Sequence, residues 1–79
     1  MNVAEVSEES VRTKLRTENP EFERLEEEHR SLEKQLMSFE THVYLSAEEE
    51  IERRRIQKLK LAAKDRIAEM IRRYKTGNA

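Results

Sequence analysis

The sequence predicts an all-α protein: an antiparallel two-helix hairpin, coiled-coil-like, with a short N-terminal helix in front of it. Three observations predict it. Apolar residues recur at helical spacing in two long blocks. Charged residues make up 42% of the 79-residue chain, with one Gly, one Pro and no Trp, the composition of long exposed helices. The two parts of the chain also carry opposite charge. Residues 1–52 hold 15 acidic and 6 basic side chains, a net −9, and residues 53–79 hold 10 basic and 2 acidic, a net +8. A chain with halves of opposite sign folds back on itself favourably, whereas a parallel self-association sets like against like.

In chain order, residues 1–6 are expected to be disordered, as terminal segments commonly are. Ser7, Glu8 and Glu9 open a short helix over residues 8–18, anchored by Val11 and Leu15 and frayed at its end. The residue before a proline avoids helical dihedrals, so the chain should kink or break at Asn19. Residues 1–18 are therefore read as a flexible N-terminus with a short helix, and residues 19–76 as the hairpin domain. Asn19 suits the cap of the first long helix, Pro20 its first position, and Glu21 and Glu23 its positive dipole end. From there Phe22, Leu25, His29, Leu32, Leu36, Phe39 and Val43 alternate by three and four, a heptad seam with one polar member.

The turn is placed at about Thr41 to Leu45. Ser46-Ala-Glu-Glu49 then forms a capping box. Ile56, Leu59, Ala63, Ile67, Met70 and Tyr74 fall in a narrow arc at about 100° per residue, with Ile51, Ala62 and Ile71 at its margins. Gly77 and Asn78 end this helix after basic Arg72, Arg73 and Lys75. Partners across the hairpin should have numbers summing to about 90. Phe39 then meets Ile51, Leu32 meets Ile56 and Leu59, Phe22 meets Ile67 and Met70, and His29 faces Ala62 and Ala63, where a ring against small residues leaves no void.

One core of this size rarely supplies more than about 3–5 kcal/mol without a staple. The absence of cysteine excludes disulfides and thiolate metal sites and fits a reducing compartment, which leaves oligomerisation. No apolar run approaches the roughly 20 residues needed to cross a bilayer, and MNVAEVSEES lacks the layout of a signal peptide. A cytoplasmic protein is expected.

The segments ENPEFERLEEEHRSLEKQ, LSAEEE and KLKLAAKDRI resemble the YdcH-like family of small bacterial helical proteins. Asn19, Pro20, Phe22, Leu25, His29 and Leu32 fit its first block, and Lys60, Leu61, Lys64, Asp65 and Ile67 its second. Ala63 stands where a leucine is usual, a departure that loosens the core near His29. The likeness covers residues 18 to about 74, and its order rather than its parts is specific. It implies a helical hairpin and carries no assigned activity.

The polar constellations bear on chemistry as follows from their spacing. Glu26 and His29 have the Glu-x-x-His spacing of di-iron bundles, but such centres need two such pairs and further inward carboxylates. His29 is read instead as the polar seam residue that fixes register, largely buried and metal-free, and His42 as exposed. The runs Glu26–Glu28 and Glu48–Glu50 are solvated charge. Hydrolysis needs a nucleophile, base and orienting group converging in a concavity, which a two-helix hairpin does not offer. No enzyme activity, cofactor or metal is predicted.

The remaining candidate is the outer face of the last helix: Arg54, Lys58, Leu61, Asp65 and Arg72. Leu61 points away from the core arc and no helix is expected to cover it. The favoured function is a protein-interaction or oligomerisation module, a homo-oligomer or a binder of an unidentified protein. The alternative is a nucleic-acid or anionic-membrane accessory protein using the basic helix; Tyr74 is its only nearby aromatic, and it lies on the core arc, so no stacking platform supports that reading.

Overall fold

A computed structural model describes residues 8–77. Among these the protein is all-helical with no strand: α1 (Glu8–Glu18), α2 (Pro20–Glu40) and α3 (Ala47–Thr76). It is elongated, 53 × 23 × 17 Å. The expected disorder of residues 1–6 and the stop role of Asn78 lie outside the described residues.

Local backbone chemistry sets the boundaries. The Asn19 side chain accepts from the Glu21 and Phe22 N–H groups at 3.0 and 3.4 Å, with Pro20 as the first helical residue of α2. The Asn19 N–H in turn donates to Leu15 O at 2.8 Å, so one residue closes α1 and opens α2. At α3 the Glu49 N–H donates to Ser46 Oγ at 3.1 Å, and the Ser46 N–H donates to Glu49 Oε1 at 2.8 Å. That backbone N–H holds the Glu49 carboxyl below its usual range. Gly77 takes φ 79°, and its N–H donates back to Arg73 and Tyr74 O, the left-handed stop that favours glycine.

α1 contacts both other helices, and α2 contacts α3. The main core cluster gathers residues from all three: Val11 and Leu15 of α1, Phe22 of α2, and Ile67 and Ile71 of α3, with Leu25, Met70 and Tyr74 packed around them. Phe22 and Val11 are fully buried, and each such side chain contributes about 1.5–3 kcal/mol when removed from water. Leu32, Ile56 and Ala63 extend the buried set. The start of α2 thus meets the last turns of α3, and Arg66 Nη2 lies 3.4 Å from Glu21 Oε2 beside this contact.

Four expected core positions are exposed instead, Ala62 among them. Val43 was counted in the α2 seam, but α2 stops at Glu40 and the residue stands 88% exposed in the turn. Ile51 was paired with Phe39 and is 69% exposed; at about 100° per residue it lies some 120° from Ala63 around α3, off the covered face. Leu59, expected opposite Leu32, is 44% exposed while Ile71 is buried. The covered stripe of α3 is therefore rotated toward Ile71 relative to the expected arc, because α1 packs on that side and supplies Val11 and Leu15 to it.

Candidate interaction surface

The outer-face residues all sit on α3 and are solvent-exposed. Arg54, Lys58, Leu61, Asp65 and Arg72 form a strip about 27 Å long at 1.5 Å per residue, with Leu61 50% exposed at its centre. Its arginines are engaged locally. Arg54 Nε lies 3.9 Å from Glu50, which also pairs with Arg53. Arg72 Nη2 lies 2.5 Å and Arg73 Nε 3.0 Å from Glu69. Hydrogen bonds from Arg53 hold the Glu50 carboxyl below its usual range, and those from Arg72 and Arg73 do the same for Glu69. Exposed pairs of this kind contribute little to stability, but they offset the charge a phosphate would meet.

A second exposed apolar set lies at the other end of the molecule from the core cluster. Met37 in the last turns of α2, Val43 and Tyr44 in the turn, and Ile51 in the first turns of α3 are 63, 88, 89 and 69% exposed. Sequence reasoning missed it because Val43 and Ile51 had been assigned to the core. The signal was present in Thr41 and His42, whose bonding ends α2 before Val43: the Thr41 hydroxyl donates to Ser38 O at 2.8 Å, and the His42 N–H donates to Phe39 O at 3.2 Å. His42 is exposed, with Nδ1 3.0 Å from Ser38 O.

Glu26 has a role the sequence did not reveal. It is 6% exposed, yet Arg16 Nε donates to Oε1 at 2.6 Å, and Arg16 Nη2 and Arg12 Nη1 each donate to Oε2 at 3.3 Å. Burial pushes this carboxyl up, but the Arg16 hydrogen bond and the charges of Arg16 and Arg12 outweigh it and leave it below the usual range. The same contact raises the Arg16 guanidinium. α1 is thereby fixed to α2 by a buried carboxylate as well as by Val11 and Leu15. Arg12 and Arg16 stand four apart, one position after each apolar anchor, and that spacing was the available clue.

His29 has a side chain 22% exposed, with Nδ1 3.8 Å from Glu33 Oε1. Its Nε2 is buried and has no hydrogen-bond partner. Ala63 is buried and Ala62 exposed. Among the described residues no group of three or more His, Asp or Glu side chains is placed to hold a metal ion, and Glu26 is turned to the two arginines. Among the same residues no helix is long and apolar enough to cross a membrane.

Fold and surface define a small helical protein with a three-helix core at one end and uncovered apolar side chains at the other and along α3. The profile of a family described as protein of unknown function, DUF465, matches residues 22–71. The chain belongs to this family, which is the YdcH-like family that the sequence resembles. No curated protein and no solved structure gives a match.

Proposed function

We propose that the protein is a non-enzymatic interaction module, an antiparallel helical hairpin of α2 and α3 clasped by α1, that works by self-association or by docking on a protein partner. The observation that carries this reading is the uncovered apolar surface: six large side chains, Met37, Val43, Tyr44, Ile51, Leu59 and Leu61, are 44–89% exposed. A core of few residues leaves stability to be gained from a second interface. The coiled-coil packing of α2 on α3 is supported by the contact of Phe22 with the Ile67–Ile71 region, and by the Glu21–Arg66 pair at the same end.

Sedimentation equilibrium across a range of concentrations tests it, comparing the native chain with Leu61→Glu and Ile51→Glu. Covering the exposed half of Leu61 contributes about 1 kcal/mol per copy, and a buried unpaired carboxylate adds a penalty. At least one variant should therefore weaken association about tenfold or more. A chain that stays monomeric at millimolar concentration would sink the self-association reading. Binding to duplex DNA that falls steeply with salt, by about 0.9 in log–log slope per phosphate contact, and that is lost on replacing Arg54, Lys58 and Arg72, would put the nucleic-acid alternative in its place.

A further inference from the structure

A cleft of about 410 Å³ opens where α1, α2 and α3 meet, walled by Glu8 and Arg12 of α1, His29 of α2, and Lys64, Ile67, Ala68, Ile71, Arg72 and Lys75 of α3. Its volume falls within the range of small-molecule sites. Its floor carries the exposed Ala68 and the edges of Ile67 and Ile71, each 5% exposed. Lys64 and Lys75 bracket that stretch, about 16 Å apart along the helix axis.

The charges of the wall are unequal in kind. Arg12 is committed to Glu26 and Glu8, and Arg72 to Glu69. Lys64 and Lys75 have no carboxylate within ion-pair distance among the described residues. The His29 imidazole adds a buried Nε2 without a hydrogen-bond partner, a group whose desolvation is left uncompensated. An elongated apolar floor, two uncommitted ammonium groups and an unsatisfied imidazole nitrogen are together complementary to one class of ligand. We propose that this cleft binds a small amphiphilic anion, a chain or ring of several carbons bearing a carboxylate or phosphate head. The body lies over Ala68 between the edges of Ile67 and Ile71, the head is held by a lysine, and the His29 ring, whose Nε2 is closed to solvent, packs beside it.

The site goes beyond the interaction reading and does not depend on it: self-association is read by sedimentation, and the cleft by ligand titration on the full chain. Titration calorimetry with octanoate, alongside octanol and inorganic phosphate, separates the parts of the recognition. Octanoate should bind at least tenfold more tightly than either. The double variant K64Q/K75Q, checked for native helix content by circular dichroism, should weaken octanoate at least tenfold, and Ala68→Trp, at an exposed position, should block it by filling the floor. On saturation the His29 ring resonances should shift while those of Tyr44 stay in place. Octanol binding as well as octanoate would show an apolar patch only, and phosphate binding as well would show a plain cation cluster. Either result, an unchanged affinity in K64Q/K75Q, or shifts confined to Tyr44 and its neighbours would overturn the proposal.

Discussion

Replacing Glu26 by Gln tests how α1 is held. The carboxylate is 6% exposed and receives three hydrogen bonds from two guanidinium groups, at 2.6, 3.3 and 3.3 Å. Hydrogen bonds to a charged group contribute about 1.5–3 kcal/mol net, and breaking a fully buried pair costs about 3–5 kcal/mol because the surviving charge is stranded. Here the surviving arginine side chains keep 33 and 40% of their surface in water, so neither is stranded. The expected loss for E26Q is about 2 kcal/mol. At roughly 4–8 °C per kcal/mol for a domain of this size, thermal unfolding should move down by about 8–16 °C at pH 7. The folded carboxyl is held below its unfolded value, so its contribution is complete above the unfolded range near about 4.3. It is lost as pH falls from there through the folded value. The gap between native chain and E26Q should therefore close in acid. Hydrogen exchange should show α1 amides losing protection in E26Q before those around Ile56. Equal melting temperatures at pH 7, or a gap that persists undiminished at pH 2, would refute the reasoning.

Asn19→Ala should cost about 1 kcal/mol in denaturant titrations, the usual loss for an N-cap acceptor, while Asn19→Asp, which keeps an oxygen for the Glu21 and Phe22 N–H groups, should cost less. Ile67→Ala removes a side chain at the centre of the three-helix cluster; a loss of about 2–5 kcal/mol is comparable to the whole stability of a domain this small, and circular dichroism should show it largely unfolded at 37 °C. Gly77→Ala meets no atom within 4 Å, so only the left-handed backbone resists it, at about 1 kcal/mol, and Gly77→Asn should recover part of that. Ile51→Ser should leave folding stability within about 0.5 kcal/mol, since the side chain is 69% exposed.

The parts of the fold legible in the sequence are those set within a few residues. Asn19-Pro20, the Ser46–Glu49 box and Gly77 each act through hydrogen bonds to neighbouring backbone, and the structure places all three at helix ends. The misplaced residues are those whose burial depends on a distant element. Periodicity carried the seam through Val43, into the turn placed at Thr41 to Leu45, because spacing alone does not stop at a helix end. It put Ile51 at the margin of an arc that is in fact turned toward Ile71. The rotation has one source: the break at Asn19 lets α1 pack beside α2 and α3 together, so that Val11 and Leu15 join Phe22, Ile67 and Ile71 in one cluster. Glu26 was hidden for the same reason, because in a two-helix picture its position faces water. Leu61 was placed correctly on the exposed face because it lies about half a turn from Ala63 and Met70, at the middle of the expected arc.

The division of charge along the chain works differently from a ladder of ion pairs. Between α2 and α3 the described residues show a single close pair, Glu21 with Arg66, at 3.4 Å and exposed. The other pairs of α3 are local: Arg53 and Arg54 with Glu50, Arg55 with Glu52, and Arg72 and Arg73 with Glu69. Arginine's planar fork suits a carboxylate one turn away, so Glu50, Glu52 and Glu69 are taken by arginines of α3 itself. The lysines of α3, Lys58, Lys60, Lys64 and Lys75, have no such partner among the described residues. What α3 presents to its surroundings is therefore largely lysine charge, and what α2 presents is mostly glutamate without a close partner among the described residues. Packed helix axes lie about 8–10 Å apart, close to the Debye length of about 8 Å at physiological salt. The opposite signs of α2 and α3 thus act as a diffuse attraction between the two helices that does not fix their register. Register comes from Phe22, Ile67 and Ile71, and the position of α1 from Glu26. The uncommitted lysines remain available to an anion at the cleft.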